Sequence, residues 1–327
     1  MDNVLNTYAA YSTNENIRMS SSSGAIFSLL AKQILDKEGI VYGVAMSQDC
    51  KYAEFIRVDN LKDLAKIRGS KYLQAKMGET YQDIKLNLES GLLVLFSGTG
   101  CQVNGLKGYL GKEYRNLYCV DVICHGVPSP KLWKQYVQYV ETETNAKLID
   151  VNFRCKDNSW LDFGIKRINA NHKAMYVSKD KDPYMLMFLR DYCLRPSCYE
   201  CVAKQYKLSD LTIADFWGIN NVLPEMNDGK GVSIVIVRSE KGQELFNAIG
   251  VDIIFKEVSY EDGVTWNQAE YNSAIRPEER NHFFKDMSIM NFEELKKKYA
   301  FSTAISLKQK IKRSLKKILL RFISPGV

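Results

Sequence analysis

The sequence predicts a mixed α/β (α+β) fold. Helices cover a mixed sheet core, and a smaller antiparallel β region follows it in the chain. Apolar runs at residues 92–96 (LLVLF) and 117–123 have the length of buried strands, and helical sequence separates them. Beyond residue 148 short strand-like segments follow one another closely, which favours antiparallel pairing. The C-terminal residues repeat apolar side chains at helical spacing among basic ones, which predicts a basic amphipathic helix.

The first 148 residues alternate helices and strands, a pattern that predicts some parallel pairing. Residues 24–37 place Phe27, Leu30 and Ile34 at helical spacing, and four serines before this segment offer an N-cap. Pro130 opens another helix, since proline is tolerated in a first helical turn. The other predicted elements are strands at 40–46, 92–96 and 117–123, and helices at 61–68, 78–89 and from Gln102 onward.

The second part of the chain is richer in short strands. We predict antiparallel strands at 150–154, 161–168 and 173–178, then a helix at 183–190. Two further strands are expected at residues 210–215 and 232–237. The chain is therefore divided into three parts: an α/β part (1–148), a β-rich part (149–299) and a basic tail (300–327).

Composition and charge exclude several classes of protein. With 46% hydrophobic and 25% charged residues, the chain resembles an ordinary globular protein. No run of 18 apolar residues predicts a membrane span, and the N-terminus lacks the pattern of a secretory signal. The net charge is +7, but the residues after 300 contain seven basic and no acidic side chains, so the body is neutral. We therefore expect a cytoplasmic protein without a basic face for nucleic acid.

The tail is the one strongly charged segment. Its apolar side chains fall on one helical face, and basic residues occupy much of the rest. Such a helix can lie on an anionic membrane, at the inner membrane face, or pack on the body with its charges in solvent. Both interpretations stay open. The apolar face comprises Ile311, Leu315, Ile318, Leu319 and Phe322.

Eight cysteines in a reducing compartment are better candidates for metal or redox chemistry than for disulfides. Cys198 and Cys201 form a CxxC pair. Cys101 and Cys124 each follow a predicted buried strand, beside glycine. The other four have no spacing signal and are expected to be small buried hydrophobes, namely Cys50, Cys119, Cys155 and Cys193.

The two strand-end cysteines are expected to lie near each other, because ligands gather at the carboxyl ends of strands in α/β sheets. With the CxxC pair they supply four thiolates, the number that a 4Fe–4S cluster requires. Zinc binds the same four thiolates equally well in chemical terms, and four thiols without metal are a third interpretation. The residues alone leave these three alternatives open.

Six separated stretches give the sequence a family resemblance. It resembles the beta subunit family of coenzyme F420-reducing hydrogenases and dehydrogenases, in the branch that includes bacterial proteins of surface-polysaccharide gene groups. The resemblance runs from about residue 8 to about residue 299. It does not extend to the N-terminal ferredoxin-like module of many bacterial relatives, so we expect one cluster at most. The stretches are TYAAYSTNENIRMSSSSGAIFSLL, RGSKYLQAKMG, LFSGTGCQVNGLKGYL, VDVICHGVPSPKLW, LRPSCYECVAKQ and SDLTIADFWGI.

The resemblance implies a flavoprotein that carries FAD and one 4Fe–4S cluster. The implied cluster ligands are Cys101, Cys124, Cys198 and Cys201. Helix N-termini and glycine turns of this kind present N–H groups to a pyrophosphate. The implied FAD contacts are Ser20, Ser21, Ser22, Ser23, Gly24, Gly69, Ser70, Lys71, Tyr72, Gln74, Ser97, Gly98 and Thr99.

Two residues are candidates for the chemistry. Lys71 can pair with a phosphate or favour the reduced flavin, and His125, beside a predicted ligand, can hydrogen-bond the cluster or carry a proton. Our hypothesis is an oxidoreductase that exchanges hydride with a small substrate and single electrons with a redox partner protein or electron donor. The rival is a non-enzymatic electron relay or zinc-stapled scaffold in surface-polysaccharide biosynthesis.

Overall fold

A computed structural model describes residues 4–301 of the protein. The predicted amphipathic tail, from residue 302 onward, lies outside the described residues and stays a prediction. Within the described part, the first half contains β1 (Asn6–Ser12), α1 (Glu15–Met19), α2 (Ile26–Leu35), β2 (Ile40–Met46), β3 (Ala53–Val58), α3 (Leu64–Ile67), β4 (Ala75–Lys76), α4 (Thr80–Glu89), β5 (Val94–Thr99), α5 (Gly100–Leu110), β6 (Leu117–Val122) and α6 (Pro130–Thr144).

The second half begins with three strands and continues with helices between further strands. Its elements are β7 (Leu148–Cys155), β8 (Gly164–Asn169), β9 (Ala174–Ser178), α7 (Pro183–Leu189), β10 (Leu211–Asp215), α8 (Ile219–Val222), β11 (Ser233–Val237), α9 (Glu240–Asn247), β12 (Ile253–Glu257), α10 (Tyr260–Val264), α11 (Arg280–Ile289) and α12 (Phe292–Leu295). The predicted α/β class with a mixed sheet and a small antiparallel sheet is confirmed.

Nine strands form the main sheet in the order β12-β1-β11-β10-β6-β5-β2-β3-β4. Its centre is parallel: β5 pairs with β2 on one side and with β6 on the other, and β6 pairs with β10. The outer strands β1, β11 and β12 pair antiparallel. The carboxyl ends of β5, β6 and β10 therefore lie at one edge of the sheet, where a ligand site is expected.

Helices cover both faces of this sheet because alternate strand residues point to opposite sides. On one face Leu95 and Val120 pack in a cluster with Leu30 and Ile34 of α2. On the other, Phe96 packs in a cluster that includes α4 and α5. A smaller antiparallel sheet, β7-β8-β9, has its own aromatic core with α6 and α7.

Sequence patterns did not predict every element. We made no prediction for β1, although its residues are mostly buried and it lies inside the sheet. The strand is rich in alanine and lacks the alternation of apolar and polar residues that identifies a half-buried strand. The predicted boundary after residue 148 stays a prediction. Strands β10, β11 and β12, which follow it, lie in the same sheet as β1.

No helix among residues 4–301 combines the length and apolar character needed to cross a bilayer.

We expect Leu106→Ala to lower the free energy of unfolding by about 2–5 kcal/mol, because this side chain of α5 is fully buried against the sheet. Chemical denaturation followed by circular dichroism would measure the change. Leu86→Ala in α4 is the matched control: its side chain is 59% exposed, and we expect a change within about 0.5 kcal/mol. Equal losses in the two variants would contradict the packing described for α5.

Candidate functional site

Cys101 lies in the first turn of α5, directly after β5. The helix begins with a capping box, in which Thr99 is the N-cap and Gln102 returns its side-chain oxygen to the Thr99 N–H at 2.8 Å. The Thr99 hydroxyl lies 3.2 Å from the Cys101 sulfur, and Cys101 is exposed. The tight strand-to-helix turn thus presents one thiol at the sheet edge.

Cys124 follows β6, the neighbouring strand. The loop after it runs beside the segment before the CxxC pair, with an antiparallel bridge between Pro128 and Leu194. Main-chain hydrogen bonds on both sides of this bridge, Ser129 N to Cys193 O and Arg195 N to Val127 O, are each 2.9 Å long. This pairing places the CxxC segment beside the carboxyl ends of the parallel strands.

Cys198 and Cys201 lie in tight turns after this bridge. The Cys201 N–H donates to the Ser273 hydroxyl at 2.9 Å, which anchors the second cysteine. All four predicted cluster cysteines are free thiols and line one cavity of about 30 Å³. The structure therefore brings together the four cysteines that the sequence selected.

The four thiols are arranged around the same cavity. Within residues 4–301 no three His, Cys, Asp or Glu side chains are placed to hold a single metal ion. Burial raises the pKa of Cys124 to about 12 and also raises that of Cys198, whereas the ammonium of Lys204 opposes the shift at Cys124. Four thiols around one cavity have the donor chemistry that a 4Fe–4S cluster needs.

Two lysines beside this cavity were missed by sequence reasoning. Lys204 donates to the carbonyl of Cys124 at 2.6 Å, and Lys207 pairs with the buried Glu270 at 3.0 Å. Both line the cavity of the cysteines. Their charge suits a group held by thiolates, which carries net negative charge. In the sequence, their position shortly after the CxxC pair was the one signal that could have identified them.

A larger cavity of about 300 Å³ adjoins the cavity of the cysteines. Its lining is mostly apolar, with polar groups from three predicted segments: Ser21–Ser23, Gly69–Tyr72 and Ser97–Thr99. The predicted residues Ser20, Gly24 and Gln74 do not line it. The two cavities share Thr99, Val122, Cys124, His125, Gly126 and Val127.

The serine and glycine segments are joined to each other. The Ser22 hydroxyl accepts from the Ser70 N–H at 2.9 Å and lies 3.2 Å from the Ser70 hydroxyl. Ser20, behind the lining, accepts from the guanidinium of Arg68 at 3.0 Å. Gly24 is needed for close packing, because a Cβ there would lie 2.4 Å from the Ala10 carbonyl oxygen. The wall of the cavity is thus a connected pair of loops.

Lys71 lines the larger cavity, with its ammonium turned onto its own loop. It donates to the carbonyls of Lys66, Arg68 and Gly69, at 2.7 Å for Arg68 and 3.2 Å for the other two. Burial lowers the pKa of Lys71 to about 7, with Asp150 opposing the shift. Its charge therefore changes near neutral pH, and it supports the glycine turn.

Arg68 is a second cation of this cavity that sequence reasoning did not select. Its guanidinium also donates to the Ser28 hydroxyl at 3.0 Å, near the start of α2, and burial lowers its pKa. The residue directly precedes the predicted glycine turn, within the quoted stretch RGSKY. A helix start and two cations on one wall suit an anionic ligand group.

His125 lies where the two cavities meet, in contact with both linings. Its Nε2 is 2.7 Å from an oxygen of Asp191, and its ring packs edge-on against Phe188. Asp191 has a left-handed backbone (φ 65°), and its carbonyl accepts from the Tyr199 hydroxyl at 2.5 Å, within the CxxC loop. The loop of the CxxC pair thereby helps to position the His125 partner.

The lining of the larger cavity also includes Asp215 and Trp217, from the stretch ADFWG. Asp215 accepts from Arg154 at 2.6 Å and from Trp160 at 2.8 Å, so its carboxylate is held by the small sheet region. From the sequence, Asp215 is a candidate to orient either the CxxC loop or the flavin. The structure places it on the side of the larger cavity.

Two family profiles, one for each part of the coenzyme F420 hydrogenase/dehydrogenase beta subunit, match the chain. The N-terminal profile matches residues 7–81, and the C-terminal profile matches residues 92–262. The fold is similar to that of a chain in the F420-reducing NiFe hydrogenase complex from Methanosarcina barkeri, with 16% identity and a TM-score of 0.56. That alignment covers 83% of this chain and 88% of the other. Comparison with curated proteins finds no match.

If the larger cavity holds FAD, as the family resemblance implies, we expect its affinity for FAD to fall as the pH rises above 7. Below that pH Lys71 is charged in both the free and the bound protein, so the affinity does not change with pH. Above it the free protein has lost the proton, whereas a bound phosphate favours the ammonium, so binding must take up a proton. The decrease approaches tenfold per pH unit, roughly the limit for one proton. Flavin fluorescence quenching would measure it.

Lys71→Met should flatten this pH profile. The matched control is Lys66→Met, since the Lys66 ammonium lies in an exposed ion pair with Asp63. It should keep the wild-type profile. A wild-type affinity that does not change with pH would contradict the assignment of Lys71.

Proposed function

This chain belongs to the coenzyme F420 hydrogenase/dehydrogenase beta subunit family, and we propose that it is an FAD-dependent iron–sulfur oxidoreductase. The family consists of hydrogenase and dehydrogenase subunits, so an oxidoreductase role is expected of its members. One observation carries the finer proposal: a small cavity lined by four free thiols adjoins a larger one lined by serine and glycine loops.

A cluster accounts for the thiol arrangement better than zinc does. Zinc–sulfur bonds of about 2.3 Å bring four sulfurs to within roughly 4 Å of one another, around a single point. In the described residues no group of three potential ligands is placed to hold a metal ion, yet the four thiols line one cavity. A cubane cluster spreads its four thiolates over four irons, which suits ligands around a space. Lys204 and Lys207 then offset its negative charge.

FAD is proposed for the larger cavity on the chemistry of its walls. Ser21, Ser22 and Ser23 supply polar groups beside the start of α2, and Arg68 and Lys71 supply positive charge. Such a wall suits a pyrophosphate. The apolar remainder of the lining, with Tyr72, suits the flat face of an aromatic ring. The cavity therefore offers an anion end and an apolar end.

The bound groups would supply single-electron transfer at the cluster and two-electron hydride transfer at the flavin. The chain's own residues position and protonate. Asp191 holds the His125 ring where the two cavities meet, and we assign His125 the proton that accompanies hydride transfer. Lys71 keeps the glycine turn in place through its three carbonyl contacts. The proposed substrate is a small molecule that gives or accepts hydride, and the proposed partner is a redox protein.

The basic tail gives a proposal about location. The apolar stripe and seven basic residues after position 300 suit an anionic membrane surface at the cytoplasmic face. We propose peripheral association through this segment, which would place the oxidoreductase body beside a membrane without inserting it.

Protein purified without oxygen should contain about four iron, four sulfide and one FAD per chain. Cys198→Ala should lose most of the iron, because it removes one of the four thiolates. Cys193→Ala is the matched control, since Cys193 is buried close by in sequence and does not line the cavity. Metal, sulfide and flavin analysis decides the result. One zinc per chain, or unchanged iron in Cys198→Ala, would refute the cluster assignment.

The enzyme and relay hypotheses differ in hydride transfer. The loaded protein should bleach its flavin absorbance when mixed anaerobically with a hydride donor, either a reduced deazaflavin or a reduced nicotinamide. Phe188→Ala should slow this step by about tenfold or more, because Phe188 packs against His125 and lines the same cavity. Rapid-mixing absorbance measures the rate. Flavin that resists both donors, yet exchanges electrons with a one-electron dye, would favour the relay.

A further inference from the structure

Lys156 is a buried ammonium outside both cavities. It directly follows β7 and is only 5% exposed. Its Nζ donates to three main-chain carbonyls: Arg18 at 2.6 Å, Ser23 at 3.0 Å and Lys230 at 2.7 Å. None of the ion pairs found among residues 4–301 includes it. Burying a charge is costly unless its hydrogen bonds are satisfied, and here all three ammonium protons have an acceptor.

The three carbonyls belong to two segments that touch each other: the end of α1 with the serine loop after it, and the loop that contains Lys230. Arg18 forms a bidentate ion pair with Asp228 and donates to the Gly231 carbonyl at 2.9 Å. Gly231 has a φ of 104°, and a Cβ there would lie 3.1 Å from the backbone of Ser23. The two segments are therefore in close contact, and the backbone conformation at this position favours glycine. Their carbonyl oxygens point together at the Lys156 ammonium. Its positive charge offsets the repulsion between the negative ends of these carbonyl dipoles.

One of these loops is a wall of the larger cavity. Ser21, Ser22 and Ser23 line it, and Ser22 also binds the glycine turn through Ser70. The Ser23 carbonyl that Lys156 holds is thus part of the ligand-binding wall, although Lys156 does not line the cavity. Arg154, two residues earlier, holds Asp215, another residue of the lining. Two cations at the end of β7 therefore support the lining of this cavity.

We propose that the ammonium of Lys156 is a built-in monovalent cation that holds the serine loop in its ligand-binding conformation, and that its three carbonyls form an alkylammonium site once the side chain is removed. The positioning role rests on the proposed function of the larger cavity, whereas the cation site does not. Burial, with Arg18 and Arg154 nearby, lowers the pKa of Lys156 to about 8, and Asp215 and Asp228 oppose this shift. The side chain is thus charged at neutral pH.

The test uses Lys156→Ala, which deletes the side chain beyond Cβ. Propylammonium contains the deleted carbons and the charge, and 1-propanol is its neutral counterpart of similar size. Hydrogen–deuterium exchange at residues 18–24 is measured in protein without added FAD. We expect exchange to rise about tenfold or more in the variant, because charged hydrogen bonds to the loop are lost. Propylammonium should restore protection, and 1-propanol should not.

Two further variants separate charge from packing and keep the test decisive if Lys156→Ala folds poorly. Lys156→Met fills most of the space without charge and should show the raised exchange. Lys166→Ala removes a partly exposed lysine of the same small sheet, paired with Asp157, and should match the wild type. Wild-type protection in Lys156→Met, or equal rescue by 1-propanol, would overturn the proposal, since packing alone would then explain Lys156.

FAD affinity separates this inference from the proposed function. If the wild type binds FAD, Lys156→Ala should weaken binding about tenfold or more, and propylammonium should restore it. An unchanged affinity would overturn the positioning role. If the wild type binds no FAD, the proposed function fails, but the exchange experiment still decides the cation site.

Discussion

The parallel ladder of β5, β6 and β10 is the constraint on which the rest of the site depends. Parallel strands end at the same edge of a sheet, so the ladder places the turn at Thr99, the Cys124 loop and Asp215 side by side. Helix α5 starts immediately after β5 and presents Cys101 there. Both cavities lie along this edge, and any change in strand order would separate the groups that line them.

Segments that are distant in the sequence complete this edge of the sheet. The bridge between Pro128 and Leu194 attaches the CxxC segment to the Cys124 loop, and the Ser273 hydroxyl anchors it from the other side. Arg154 and Lys156, at the end of β7, hold two residues of the larger cavity's lining, Asp215 and Ser23. Neither cavity is therefore built by one part of the chain alone, so the folding of both parts is required for either site.

Electrostatics around the two cavities follow one pattern: cations are buried on main-chain carbonyls. Lys71, Lys156 and Lys204 each donate to backbone oxygens. This satisfies the ammonium protons without a direct ion pair to a carboxylate among residues 4–301, and a buried charge acts over a longer distance in a medium of low dielectric constant. The arrangement suits a protein whose proposed ligands, a thiolate-bound cluster and a pyrophosphate, are both anionic.

The sequence by itself determined the α/β class, most of the strands, half of the helices, and the selection of the four cysteines. These depend on local periodicity, on spacing such as CxxC, and on ordered stretches of family resemblance. Of the thirteen FAD contacts predicted from the sequence, ten line the larger cavity. Sequence patterns missed β1, whose alanine-rich segment is buried because helices α2 and α9 pack on one face of the sheet and α10 packs on the other.

Only the tertiary structure decided how these parts meet. Arg68, Lys156, Lys207 and Asp191 became recognisable through contacts with residues that are distant in sequence. An isolated lysine or arginine is usually solvated, and no local pattern shows that carbonyls from two loops will surround it. The four thiols form one cavity for the same reason, since the approach of the CxxC segment depends on strand pairing at long range. The chemistry of the individual residues was thus predictable from the sequence, whereas their meeting in one site is a property of the fold.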